Sequence, residues 1–202
     1  MNWLAHVHLS PPDVEFQLGN LLADMVRREP AGAVSASFDQ GRRCHQVIDR
    51  FTDTHDIVRR SMSRISPAYR RYAGILVDMF YDHFLARRWE EFHAEPLRTF
   101  LDRFYAEAQG KAALLPEEGA DAVEYIVRSD RLYSYLRTEG IHEALERMSL
   151  RLSRRWNRNL CLQDAMDDFP QFSHLLEKDF MEYFPLLQRH LREGGWSGGE
   201  AI

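Results

Sequence analysis

The sequence predicts an all-α fold, a single helical domain of about seven helices, and three observations carry that prediction. Apolar residues recur at three- and four-residue spacing in segment after segment, while alternating, strand-like runs are scarce. Proline, serine or aspartate stands just before many of those segments, which is the chemistry of helix starts. At 202 residues the chain is long enough for one good core and short for two.

Pro11-Pro12-Asp13 opens the first helix, with Val14, Leu18, Leu21, Leu22 and Met25 on one face and an end near Glu29-Pro30. A Gly/Ala/Ser-rich link leads to a second helix from Phe38 to Asp53, apolar at Val47, Ile48 and Phe51. Ser66-Pro67, a cap followed by a first-turn proline, starts a long third helix reaching Glu91. Glu95-Pro96 begins a fourth, with Leu97, Phe100, Leu101, Phe104 and Tyr105 inward. Three more are expected at 117–137, 141–157 and 171–193, the last begun by Pro170 and stopped by Gly194-Gly195. The domain is drawn as 1–193 with a flexible tail over 194–202.

Composition narrows the function. Apolar residues make up 45% and charged residues 28%, ordinary for a globular protein. A net charge of -5 gives no reason to expect nucleic acid as a partner. The longest nearly uncharged stretch, 72–86, carries Asp78, Asp82 and His83, so it is too short and too ionic for a membrane span. The first residues lack the basic and apolar regions of a secretory leader. Cys44 and Cys161 form no spaced pair, which suits a reducing cytoplasm. Only Lys111 and Lys178 are lysine; the other basic residues are arginines, whose forked guanidiniums grip carboxylates and phosphates.

The chemistry concentrates in three segments. Ile75 to Leu85 is apolar on every side, which marks a buried helix, yet it contains Asp78, Asp82 and His83. Buried carboxylates must be paired, protonated or metal-bound, and Asp78 and Asp82, four apart, project from one face. The bland alternative is an aspartate pair accepting arginine or backbone hydrogen bonds. In the second helix His45, Asp49 and Asp53 form a stripe at four-residue intervals, a spacing suited to shared ligation of a hard or borderline metal. A solvated face with an intrahelical ion pair would look the same. Nearer the start, His6 and His8 sit in an apolar opening, and Asn20 and Asp24 are four apart, Asp24 reading as a carboxylate within an apolar helix.

Met1-Asn2-Trp3-Leu4-Ala5-His6, Gly19-Asn20-Leu21-Leu22-Ala23-Asp24, His45 with Ile48-Asp49-Arg50-Phe51-Thr52-Asp53, and Asp78 with Asp82-His83-Phe84-Leu85 occur in that order over residues 1–90. This series resembles the acyl carrier protein phosphodiesterase family. The resemblance implies an all-helical, HD-phosphohydrolase-like enzyme dependent on a divalent metal, Mn²⁺ foremost with Mg²⁺ possible. It implies hydrolysis of the 4′-phosphopantetheine group from holo acyl carrier protein, giving the apo form, in the cytoplasm. On this reading Asp24, His45, Asp82 and His83 are the metal ligands. Asp49 and Asp78 are catalytic, as further ligands or as carboxylates that orient the ligands, and His6 gives a proton to the leaving serine oxygen. Arg50 clamps the phosphate, with Asn20 and Asp53 beside the substrate. The acidic carrier docks on arginines such as Arg154 and Arg155, part of a run with Arg151 and Arg158. Two departures stand out: Gln46 occupies a position where the family has a basic residue, and the His-Asp doublet appears reversed, as Asp82-His83. A different HD-like phosphohydrolase acting on a nucleotide or small phosphoester, or a helical binding module, are the competing readings.

Overall fold

A computed structural model describes residues 1–26 and 34–196 of the chain, and within them every regular element is helical. The α-helices are α1 (Trp3–His8), α2 (Val14–Leu22), α3 (Ala36–Thr54), α4 (Asp56–Arg64) and α5 (Ala73–Arg87). They continue as α6 (Leu97–Lys111), α7 (Glu117–Arg128), α8 (Arg131–Ser134), α9 (Thr138–Trp156) and α10 (Phe169–Glu193). The all-α class stands, and the seven helices become ten among the described residues. No helix there is long and apolar enough to cross a membrane.

Each of the three extra helices has an identifiable cause. Six-residue α1 is too short to show a period, and its first turn is held from outside: Asp82 accepts the backbone N–H groups of Leu4 at 2.7 Å and Ala5 at 3.1 Å. Helix α4 begins where α3 ends, because His55 leaves the helical conformation and its ring accepts the N–H of Ile57 at 3.2 Å. The 117–137 segment is two helices, since Asp130 takes a left-handed conformation (φ 45°) that no continuous helix tolerates.

Boundaries shift as well. The first predicted helix stops at Leu22 rather than near Pro30, and 27–33, with most of the Gly/Ala/Ser link, lie outside the described residues. Ser66-Pro67 does start a helical stretch, but Pro67–Tyr72 is 3₁₀ and the α-helix runs only from Ala73 to Arg87. At the C-terminus the assumed tail is partly tied down. Trp196 donates its N–H to the Leu191 carbonyl (2.9 Å) and Gly195 to Arg192 (3.1 Å), a wrap that satisfies the last carbonyls of α10. The remainder, 197–202, lies outside the described residues.

The core is built around α5 and α10. Phe80 lies 4.6 Å from Phe169 between ring centroids, and Tyr81 lies 5.3 Å from Phe180. Asp179 of α10, 1% exposed, draws α4 onto this pair by accepting from Arg60 (2.9 Å), Arg64 (2.8 Å) and Ser61 (2.9 Å). A charge buried this deeply persists only because those donors neutralise it.

Helices α2 and α3 meet backbone to backbone. A Cβ on Gly19 would overlap the Phe38 carbonyl oxygen, and one on Gly41 would overlap the Phe16 carbonyl oxygen. Only glycine permits that approach. The contact sets Asn20, next to Gly19, against His45, one turn beyond Gly41.

Candidate metal centre and reaction cleft

Three buried or half-buried groups converge where α1, α2 and α3 meet. The ligand-capable atoms of His6, His45 and Asp49 all lie within 4.8 Å of one another. The two imidazoles stack, with centroids 4.1 Å apart and planes inclined by 18°. Asp49 offers Oδ2 at 3.0 Å from Nε2 of His45 and Oδ1 at 3.4 Å from Nε2 of His6. Asp24 approaches Nε2 of His45 to 3.7 Å from the turn after α2.

Asn20 decides how these rings are used. Its amide N–H₂ donates to the His6 carbonyl at 3.0 Å and the Ser10 hydroxyl at 2.9 Å, which fixes Oδ1 as the atom facing His6. Oδ1 accepts from Nδ1 of His6 at 2.7 Å, and the Asn20 backbone carbonyl accepts from Nδ1 of His45 at 2.7 Å. Neither oxygen can donate, so both Nδ1 atoms carry hydrogen. In a neutral ring that leaves a lone pair on each Nε2. Both Nε2 atoms face the carboxylates, that of His6 also lying 3.3 Å from the Met1 carbonyl oxygen, and Nε2 of His45 is buried without a hydrogen-bond partner among the described residues. Lone pairs opposed to carboxylate oxygens repel unless a cation lies between them. A proton serves in the metal-free protein. Burial works to lower the pKa of His45, but Asp24 and Asp49 outweigh it and hold it at about 9. His6, stacked against it, is pushed down, chiefly by burial. Burial opposes ionisation of Asp49 too, yet His45 and His6 keep its carboxyl well below the ordinary range. The set fits a divalent cation: two imidazole nitrogens with their far sides hydrogen-bonded, plus carboxylate.

The cluster opens into a cleft of about 940 Å³. His6, His45, Asp24 and Asp78 line it, as do Arg147, Arg151, Arg154 and Arg155 of α9. Beside the cluster the Met1 α-amino group lies 3.2 Å from Asp78 and 3.7 Å from Asp49.

The family described as acyl carrier protein phosphodiesterase matches residues 1–187. A protein of Pectobacterium atrosepticum with that name is 30% identical, the match covering 94% of this chain and 96% of that one. Relatives of the same name from Photorhabdus laumondii (31%, covering 93% of each) and an Enterobacter strain (33%, covering 92% and 94%) agree. The chain belongs to the acyl carrier protein phosphodiesterase family. That membership makes it a hydrolase. No solved structure matches it.

Within this family member the residues marked in the sequence separate into three groups. His6, His45 and Asp49 are brought together, with Asp24 and Asp78 at the margin. Asp24 is not embedded in a helix as expected; it follows α2, its side chain 82% exposed. Asp78, expected buried, lies on the cleft wall with 34% of its side chain exposed, and burial still pushes its pKa up.

Asp82 and His83 form the second group, and the expectation that they join His45 as ligands needs correcting. Asp82 is fully buried, but both its oxygens face the start of α1. Burial pushes its pKa up to about 7 against the pull of those two N–H groups. His83 bonds the Tyr135 carbonyl through Nδ1 (2.7 Å) among the rings of Phe84 and Phe169. Asp82 is committed to α1, and the Nε2 of His83, without a hydrogen-bond partner among the described residues, lies among aromatic rings rather than beside carboxylates. Asn20, expected beside the substrate, is fully buried, with its side chain bonded to His6 and Ser10.

The third group lies away from the cleft. Arg50 and Asp53 are exposed on α3 and do not line it, nor does Arg158 beyond the end of α9. Sequence reasoning missed Arg131, Arg147 and Tyr135 in the cleft wall. None sits in a spaced motif of titratable groups, so nothing in the sequence separates them from other surface or core residues.

Proposed function

We propose that this chain removes the 4′-phosphopantetheine group from holo acyl carrier protein, with Mn²⁺ (Mg²⁺ as the alternative) held by His6, His45 and Asp49 and within reach of Asp24. The convergence of two oriented Nε2 atoms and a carboxylate supports the reading most directly. A bound divalent ion supplies Lewis acidity toward the phosphoryl oxygens and makes water reactive near neutral pH. The protein's own groups do the rest. Asn20 fixes both tautomers, so no reorientation is needed when substrate arrives. Asp78, on the cleft wall beside the cluster, keeps its catalytic assignment. His6 belongs with the ligands rather than as proton donor, because its Nε2 points at Asp49. Arg154 and Arg155, with Arg147 and Arg151, form an exposed basic rim on the same cleft, which suits an acidic carrier better than a small phosphoester. The names of the relatives, acyl carrier protein phosphodiesterase, support this choice of substrate.

The kinship with HD phosphohydrolases and a cytoplasmic location complete the proposal. The mixed histidine–aspartate donor set on packed helices supports the first. Two cysteines, both free, are compatible with the second.

The test is to incubate the protein with holo acyl carrier protein and Mn²⁺ and follow the carrier by mass. Loss of the prosthetic group is expected, with none after chelator treatment and recovery on adding Mn²⁺. Full turnover by chelator-treated protein would overturn the metal-dependent reading.

A further inference from the structure

The cleft is larger than a phosphodiester requires. At about 940 Å³ it falls at the upper end of the roughly 300–1,000 Å³ typical of sites that enclose a whole small molecule. One of its walls holds an unusual residue, Arg131, which is only 3% exposed. The guanidinium donates to the Gly140 carbonyl at 3.1 Å and sits 5.1 Å from the Tyr135 ring centroid. Its one carboxylate neighbour among the described residues, Glu143, stands 3.9 Å off and is itself 64% exposed. A guanidinium has five N–H donors, and a buried cation so weakly neutralised is costly unless further acceptors reach it.

Arg131 is joined to the ion cluster by short steps. The Met1 amino group touches Asp78 and Asp49, and the adjoining Asn2 donates to the Tyr135 hydroxyl at 3.1 Å and approaches the Met79 sulfur to 3.0 Å. Tyr135 in turn carries Arg131 on its ring. The same cleft is walled by Met25, Met79 and Met148, flexible side chains that mould to an aliphatic ligand.

We infer that this part of the cleft binds the prosthetic arm itself, Arg131 reading the amide and hydroxyl oxygens of the pantetheine portion and the methionines seating its aliphatic stretches. The inference rests on the reading of the chain as a carrier-protein phosphodiesterase. The arm's chemistry matches the wall: it is neutral, rich in acceptors, partly branched and aliphatic, and attached to the phosphate that the cluster receives. The arginine rim is then left for the carrier, and the buried arginine for what the carrier delivers.

The experiment uses the Mn²⁺-loaded full chain, holo acyl carrier protein as substrate and pantetheine, which lacks phosphate, as competing probe. Arg131→Met should raise KM and the pantetheine inhibition constant by about tenfold, the size of one charge-assisted hydrogen bond, with kcat within twofold of wild type. Met148→Trp, at a half-buried position on the cleft wall, should fill the cleft and move both constants the same way. It keeps the test intact should Arg131→Met fail to fold. A lower melting temperature with KM and inhibition constant unmoved would make Arg131 purely structural and overturn the inference. So would weakened binding of 4′-phosphopantetheine but not pantetheine, which would assign Arg131 to the phosphate. Failure of wild type to release the arm would instead remove the underlying functional reading, and this inference with it.

Discussion

His45 on α3 and His83 on α5 are near twins in their immediate bonding. Each is buried, each has Nδ1 2.7 Å from a backbone carbonyl oxygen, and each leaves Nε2 without a hydrogen-bond partner among the described residues. What differs is the company beyond Nε2. His45 faces Asp49 at 3.0 Å and Asp24 at 3.7 Å and stacks on His6, at the mouth of a cleft. His83 faces aromatic rings, and the aspartate beside it in sequence is turned toward α1. An orphan imidazole nitrogen is a candidate ligand where anionic oxygens share its outlook. Elsewhere it is a polar edge tolerated in a core.

The largest expected effect sharpens this contrast. His45→Ala should reduce kcat/KM by more than the roughly 10–100-fold lost when an outer partner of a metal ligand is removed, whereas His83→Ala should leave it nearly unchanged. Steady-state kinetics with holo acyl carrier protein would show it, and the reverse order would break the comparison. Asn20→Ala should fall between them, at about 10–100-fold, because His6 loses the side-chain acceptor that fixes its ring while His45 keeps the backbone carbonyl. Far-UV circular dichroism should show helix content retained.

Asp82→Ala should act on stability. Losing two charge-assisted bonds at the start of α1 should cost about 2 kcal/mol. For a chain of this size that is about 4–8 °C of melting temperature. Because α1 carries His6, some activity should be lost in proportion to local unfolding and recovered on cooling. The smallest effect belongs to the rim. Exposed arginines contribute about 0–1 kcal/mol each, so Arg154→Glu with Arg155→Glu should raise KM by about tenfold, leave kcat alone and flatten the salt dependence. An unchanged KM would place the carrier elsewhere.

Much of the fold was legible because helix starts and stops are local chemistry. Asp13 caps α2 by accepting from the N–H groups of Glu15 and Phe16, as its position before an apolar run suggests. Helices α1 and α4 escaped because their stability comes from outside: α1 from Asp82, α4 from its buried Ile57, Val58 and Ser61 and the grip of Asp179 on its arginines. In the site, the four-residue spacing of His45 and Asp49 was legible, since both ends of that pair lie on one helix. That Asp82 is buried was legible too, but its partner was not. A carboxylate in an apolar helix looks the same in sequence whether it meets an ion or the N–H groups of a distant helix. Arg131 illustrates the opposite gap, a functional candidate with no pattern around it, visible only once α8 and α9 wall a cleft.

The central claim is that His6, His45 and Asp49, rather than Asp82 and His83, hold the ion. It is tested most directly by titrating Mn²⁺ into chelator-treated protein and counting bound ions by electron paramagnetic resonance. Wild type and His83→Ala should each take up Mn²⁺ tightly, while His45→Ala and Asp49→Ala should leave it free. Tight uptake by His45→Ala, with loss in His83→Ala, would contradict the account.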